Sequence, residues 1–135
     1  MGSPSARGRV TGVITFDTGA LIAIERRSRR MQALLEEIDR RDWRVAIPAG
    51  AVAQAWRGGS RQARIAVLLG DERTEVVPLD DPTARAVGLL CGRSGHADVV
   101  DVSVAFCARQ RNLHVVTSDP EDLRAVDDAL ILHVP

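Results

Sequence analysis

Residues 96–120, HADVVDVSVAFCARQRNLHVVTSDP, decide the fold of this chain. The segment 98–111 is rich in valine and strand-like on propensity alone, but fourteen residues are long for a strand. Its apolar residues recur at i, i+4, i+7 and i+8, which predicts a helix instead. Residues 113–117 then have the composition of a buried strand, and the turn Ser118-Asp119-Pro120 begins another helix. A helix between buried strands is typical of a parallel sheet.

The rest of the chain repeats this alternation of strand and helix. Strands are predicted at 10–16, 44–47, 75–79, 113–117 and 130–134. Helices are predicted at 18–41 (one interrupted or two consecutive), from Pro48 to Gly58-Gly59, at 60–69, from Asp81-Pro82 to Leu90 or beyond, at 98–111, and from Pro120 to Val126. In the helix that starts at Asp81-Pro82, Asp81 is predicted to be the cap and Pro82 the first helical residue. The sequence therefore predicts a three-layer α/β/α sandwich around a parallel sheet of about five strands.

Length and composition predict one globular domain. The chain has 135 residues, of which 45% are hydrophobic and 27% charged. We expect residues 1–10 to form a flexible tail and residues 11–135 a single domain. No apolar run is long enough to cross a membrane, and the first residues lack the apolar core of a secretory signal, so we expect a cytoplasmic protein. Cys91 and Cys107 match no metal-binding spacing and are expected to be reduced core thiols.

The charged residues exclude several kinds of chemistry. All 18 basic residues are arginine, so mechanisms that need a lysine, such as a P-loop or a Schiff base, are excluded. Residues 1–64 carry a net charge of +6 and residues 65–135 a net charge of −6. A basic half suits phosphate groups and an acidic half suits a cation, although solvated faces of opposite sign would give the same counts.

Acidic residues follow two predicted strands and begin the helix between them. Asp17 follows the first strand and Asp119 the fourth, with Asp122 one turn later. Asp98 and Asp101 share one face at the start of their helix. In open parallel sheets, ligands bind beyond the carboxyl ends of the strands, where these acids are expected to meet. A cluster of carboxylates that contributes only oxygen favours Mg²⁺ or Mn²⁺.

Each acid also has a purely structural interpretation. Asp17, Asp98 and Asp119 all precede helices, where an aspartate cap stabilises by about 1 kcal/mol without any catalysis. What favours a site is their joint order along the chain: one acid after the first strand, a pair before the fourth, and one directly after it.

Three stretches of the chain resemble the PIN domain family, and specifically its VapC-type toxin ribonucleases. They are VITFDTGALIAI (13–24), IPAGAVAQAWRGG (47–59) and HADVVDVSVAFCARQRNLHVVTSDPEDL (96–123). The step of 18 residues from Asp101 to Asp119 is one of the better signals. The resemblance implies a PIN fold, metal-dependent cleavage of single-stranded RNA, homodimerisation, and inhibition by a small VapB-like antitoxin.

The resemblance also implies roles for individual residues. Asp17 and Asp101 correspond to the principal metal ligands, and Asp119 to a third acidic member. Thr18 lies where the family often places a hydroxyl, and Ser118 belongs to the TSD turn beside it.

One position departs from the family pattern. Gln54 stands where the family has a glutamate in the helix after the second strand. An amide keeps an acceptor oxygen but lacks the charge, so we expect weaker cation binding unless another acid compensates. Asp98 is the first candidate for that charge and Asp122 the second.

Several further residues have both a functional and a structural interpretation. Arg57, Arg61 and Arg64 fall at spacings of three and four that would place them on one phosphate-binding helix face or on a solvated one. A similar choice applies to Arg26, Arg27, Arg29 and Arg30, which would bind RNA or an acidic segment of the antitoxin, or form a solvated face. Trp56 would stack on a base, fill a dimer contact or simply pack. His96 would contact phosphate or metal, or have a structural role in the turn before the helix.

Three hypotheses remain open at this point. The first is an RNA endonuclease toxin that uses Mg²⁺ or Mn²⁺. The second is a PIN-fold module that is silent because of Gln54 and binds RNA or an antitoxin without cleavage. The third is an unrelated α/β domain whose acids are only helix caps.

Overall fold

The computed structural model of the protein describes residues 12–135. The predicted tail at 1–10, including Val10 of the first predicted strand, lies outside the described residues. The elements in chain order are β1 (Val13–Phe16), α1 (Thr18–Glu25), α2 (Arg29–Arg40), β2 (Arg44–Pro48), α3 (Ala49–Ala55), a 3₁₀ turn (Ser60–Gln62), α4 (Ala63–Gly70), β3 (Thr74–Val77), α5 (Asp81–Ser94), α6 (Val99–Arg109), β4 (His114–Val116), α7 (Pro120–Val126) and β5 (Ile131–His133).

The five strands form one sheet in the order β3-β2-β1-β4-β5, with every pair parallel. Strand β1 is central: Ile14 is in register with Val45 of β2 on one side and His114 of β4 on the other. The predicted α/β sandwich is therefore confirmed. Because the chain builds outward first on one side of β1 and then on the other, the carboxyl ends of β1 and β4 flank the switch point where such sheets form a crevice.

The two faces of the sheet carry different helices. Ile14 and Phe16 of β1 point into a core formed with α1, α2, α3 and α4. On the opposite face, Val115 of β4 packs with residues of α6 and α7. Thr15 also lies on that second face, where its hydroxyl is 3.6 Å from Sγ of Cys107. This period-two alternation makes the sheet the middle layer.

The structure assigns the predicted helix caps differently at two positions. Asp17 and Asp98 cap α1 and α6 as expected. Asp119 precedes α7 but its side chain makes no capping hydrogen bond. At α5 the cap is Asp80, whose carboxylate accepts from the amide of Thr83, so the predicted cap Asp81 is wrong and Asp81 is the first helical residue.

Helix α3 is shorter than predicted. It ends at Ala55, because Trp56 already has an extended backbone, and the loop that follows turns through positive φ angles at Gly58 (79°) and Gly59 (92°). The next helical segment starts with the 3₁₀ turn at Ser60 and continues as α4 to Gly70, as predicted.

Both cysteines are unpaired, with Cys107 buried and Cys91 half-buried. Within residues 12–135, the helices are all too short or too polar to span a membrane.

Candidate active site

Asp17 stands at the carboxyl end of β1 and is only 4% exposed. Its backbone amide donates to the carbonyl of Val116 (3.1 Å), which ties the end of β1 to the end of β4. Its carboxylate accepts from the amide of Ala20 (2.9 Å) in α1 and from the amide of Ser118 (3.3 Å) after β4. Asp17 therefore joins the two strand ends that flank the crevice.

The carboxylate of Asp17 is largely removed from water, which disfavours its charged form. Burial raises the pKa of Asp17 above its ordinary value, and the charge of Asp119 raises it further. Hydrogen bonds from Thr117, Ala20 and Ser118 lower that pKa without reversing the net rise. The cap bonds thus account for the position of the carboxylate but leave its charge incompletely compensated.

The turn at 117–119 is pressed against the start of α1. The hydroxyl of buried Thr117 accepts from the amide of Asp119 (2.9 Å), which fixes the turn locally. A Cβ on Gly19 would lie 2.1 Å from Oγ of Ser118 and 3.2 Å from Oδ1 of Asp17. Glycine is therefore required at position 19 for this close approach.

Asp101 comes from the first turn of α6. Asp98 caps that helix by accepting from the amides of Val100 and Asp101, both at 3.0 Å. Burial raises the pKa of the Asp101 carboxyl, and the charges of Asp98 and Asp119 add to the rise. Nε2 of His96 lies 3.2 Å from Oδ2 of Asp101 and opposes it. His96 thus contacts the predicted ligand itself.

The charge of Asp119 acts on the carboxyl of Asp17 and on that of Asp101, so Asp119 lies within electrostatic reach of each of them. Asp122 is exposed, and no hydrogen bond or ion pair found within residues 12–135 connects it to these three. Across the same residues, no three His, Cys, Asp or Glu side chains are grouped so that they could hold a metal ion. The donors are the hard carboxylate oxygens that Mg²⁺ and Mn²⁺ take, but they are not preassembled.

Gln54 lies beside this group, on α3. The hydroxyl of Thr18 donates to its Oε1 over 2.6 Å. The amide therefore contacts the residue next to Asp17, but through a neutral hydrogen bond.

The three predicted RNA-binding arginines do not share a helix face, because the loop after α3 separates them. Arg57 lies in that loop and its guanidinium donates to the carbonyls of Ala53 and Trp56. Arg61 is in the 3₁₀ turn and Arg64 in α4, where both line a shallow depression of about 220 Å³. Trp56 is 39% exposed.

Two contributors to the site carried little sequence signal. In the sequence Gly19 is an ordinary helix residue. Only the structure shows that Ser118, which follows β4, lies against it. Gln62 is buried at 4% exposure, and its amide joins the loop after α3 to the end of α1. A close approach between distant segments cannot be found from spacing alone.

A family model of the PIN domain matches residues 14–129. The chain therefore belongs to the PIN domain family, whose members are generally nucleases and typically use divalent metals. No curated protein matches the chain significantly.

Two solved structures share the fold. One is the crystal structure of VapBC2 from Rickettsia felis bound to a DNA fragment from their promoter, with a TM-score of 0.65 and 18% identity over 90% of this chain and 98% of that chain. The other is FitAB bound to an IR36 DNA fragment, with a TM-score of 0.58 and 19% identity over 90% and 94% of the two chains. At identities of 18% and 19%, the similarity shows a shared fold alone.

Proposed function

We propose that this chain is a metal-dependent RNA endonuclease that acts as the toxin of a VapBC-type toxin-antitoxin pair. The observation that carries the proposal is that Asp119 acts electrostatically on both Asp17 and Asp101, three acids from separate segments at the switch point of a PIN-fold sheet. Helix capping accounts for Asp17 and Asp98, but Asp101 and Asp119 cap nothing. Carboxyls whose charged forms are left partly uncompensated are typical of functional sites.

Asp17, Asp101 and Asp119 would hold Mg²⁺ or Mn²⁺, with Asp98 next in line. When bound, the metal supplies an acidified water and neutralises the charge that develops on the scissile phosphate. The chain's own residues orient the carboxylates of the site. Backbone amides of Ala20 and Ser118 hold Asp17 in one orientation, and His96 contacts Asp101. A free carboxylate oxygen of the site would accept a proton from the water.

The first test is cleavage of total cellular RNA by purified protein with Mg²⁺, Mn²⁺ or EDTA, beside an Asp17→Asn variant. Discrete fragments that require metal and fall by about a hundredfold or more in the variant would support the proposal. The variant retains an acceptor for the amide of Ala20, so its fold is expected to survive, and circular dichroism checks this. Metal-independent cleavage, or equal cleavage by the variant, would contradict it.

The silent module remains a second candidate, and a specific observation favours it. Gln54 bonds to Thr18 where the family has a charged ligand, and the described residues hold no preassembled group of three ligands. Folded protein that binds RNA without cutting it under any divalent metal would establish this alternative. A Gln54→Glu variant that then cleaves would identify the amide as the cause.

We propose that an apolar groove on the surface of the protein binds the antitoxin partner. A groove of about 390 Å³ between α2 and α4 is lined mainly by apolar side chains, among them Leu35, Ile38, Trp43 and Leu68. Val67 stands at its edge and is 74% exposed. We assign this groove to an apolar segment of a VapB-like antitoxin, since the structural neighbours VapBC2 and FitAB are two-component toxin-antitoxin complexes.

Co-purification with the protein of a neighbouring antitoxin gene tests this assignment. Val67→Asp should abolish co-purification and leave RNA cleavage intact, because the groove lies apart from the three aspartates. Leu89→Asp, on the exposed face of α5, is the matched control and should retain the partner. Light scattering of the wild type and both variants gives their masses in solution, and so tests the homodimer that the resemblance to VapC-type toxins implies. Equal co-purification of wild type and Val67→Asp would remove the groove from the interface.

A further inference from the structure

The orientation of the Gln54 amide is fixed by one contact. Thr18 donates to Oε1 over 2.6 Å, so the carbonyl end of the amide faces the start of α1. The side chain is exposed, and nowhere in residues 12–135 does its Nε2 donate to a protein atom. The carbonyl oxygen thus accepts from a hydroxyl, and the two N–H groups remain able to donate to a ligand.

The same face of α3 lies against the start of α6. Gly50, one turn before Gln54, is so close to α6 that a Cβ on it would lie 3.3 Å from Cγ2 of Val100. Residues four apart share a helix face, so Gln54 lies on the side of α3 that faces the helix start bearing Asp101. Its other neighbour, Thr18, adjoins Asp17. The amide therefore stands beside the crevice between the two proposed ligands.

The polar groups proposed to bind metal at that crevice are carboxylates. Carboxylates are acceptors only, and a phosphodiester brought beside them needs hydrogen-bond donors as well as a cation. Compared with a glutamate, a glutamine also removes one negative charge that would repel the phosphate.

We propose that Gln54 is a substrate-positioning residue whose amide nitrogen donates to a phosphate oxygen of single-stranded RNA, with Thr18 holding the amide in that orientation. This inference rests on the proposed function, since it names the contact that the RNA makes beside the three aspartates. Gln54 then has a role of its own and is not a weakened metal ligand.

The experiment separates binding of RNA from binding of metal. Fluorescence anisotropy with a labelled single-stranded oligoribonucleotide in EDTA measures the first, and calorimetric titration with Mn²⁺ without RNA measures the second. Gln54→Ala should weaken RNA binding by about tenfold, the usual loss for a hydrogen bond to a charged group, and leave Mn²⁺ affinity unchanged. Gln32→Ala, which removes an exposed glutamine from α2, is the matched control and should change neither.

Thr18→Val supplies the second arm. It should weaken RNA binding less than Gln54→Ala does, and should add no further loss in the double variant, because the hydroxyl acts only through the amide. Unchanged RNA binding in Gln54→Ala, or a loss confined to Mn²⁺ affinity, would overturn the inference and leave the nuclease proposal standing. Wild-type protein that neither binds nor cleaves RNA would overturn both.

Discussion

Gly19 shows how closely two distant segments meet at the site. A methyl group there would overlap Ser118, so Gly19→Ala should lower the free energy of unfolding by about 1–3 kcal/mol, the usual cost of overpacking. Cleavage should fall too, since the displaced turn carries Asp119. Gly88→Ala in α5 is the matched control: nothing lies within 4 Å of that position, and higher helix propensity should stabilise by about 0.5–1 kcal/mol. Urea denaturation compares them, and equal stability gains in both variants would contradict the close approach.

We expect Asp101 to lower the stability of the folded protein while it contributes to RNA cleavage. Burial and the charges of Asp98 and Asp119 raise the pKa of Asp101, so its ionised form is less favourable in the folded protein than in the unfolded chain. Asp101→Asn should therefore raise the melting temperature in EDTA while reducing cleavage by about a hundredfold or more. Asp128→Asn, at an exposed position, should change neither. A lower melting temperature for Asp101→Asn would mean that the contact with His96 outweighs the burial and repulsion.

The sequence predicted the positions of Asp17, Asp101 and Asp119 but could not separate their roles. A cap and a ligand require the same residue type at the same place, and only the structure shows that Asp119 makes no capping bond. The orientation of Gln54 was equally hidden, since it depends on a hydroxyl 36 positions away.

Helix α6 was the hardest element to predict and was predicted correctly. Its valines favour a strand, but the stripe that includes Val104 and Ala108 buries one helix face against β4, and tertiary packing overrides propensity. The loop after α3 does not carry the arginine helix face that the sequence allowed. The spacing of Arg57, Arg61 and Arg64 looked helical, but two glycines with positive φ break the segment between them.

Gln62 holds that loop, and its removal tests how much the element depends on one amide. Oε1 accepts from the amides of Arg57 (2.7 Å) and Gly58 (2.9 Å), and Nε2 donates to the carbonyl of Ala55 (2.7 Å). Gln62→Ala leaves these partly buried groups without partners, so the free energy of unfolding should fall by about 2–4 kcal/mol. Gln110→Ala is the exposed control and should cost under about 0.5 kcal/mol. Denaturant titration measures both, and a similarly small loss for Gln62→Ala would show that water replaces the amide.

At the scale of the whole molecule, alternation of strand and helix was enough to predict the parallel sheet. The strand order was not predictable from periodicity, because it depends on which crossover passes which face. One consequence is that β4 and β5 bring together two residues with no sequence signal: Nδ1 of His114 lies 3.0 Å from Nε2 of His133, and their rings stack at 5.2 Å. Trp43 meets His114 edge-on, and Glu37 of α2 and Arg41, which caps the end of that helix, line the same depression.

This histidine pair should make the fold sensitive to mild acid. Burial lowers the pKa of both rings, and the charges of His133 and Arg41 lower that of His114 further. The unfolded chain therefore binds more protons than the folded one in this range, so stability is present near pH 7 and is lost as the pH falls through the depressed values. His133→Gln should reduce the drop in free energy of unfolding between about pH 7 and about pH 5. Asp17 and Asp101, whose raised pKa values act in the opposite sense, are common to both proteins and cancel in the comparison. Parallel pH profiles of wild type and His133→Gln would show that Glu37 compensates the charge and that the pair is not the sensitive element.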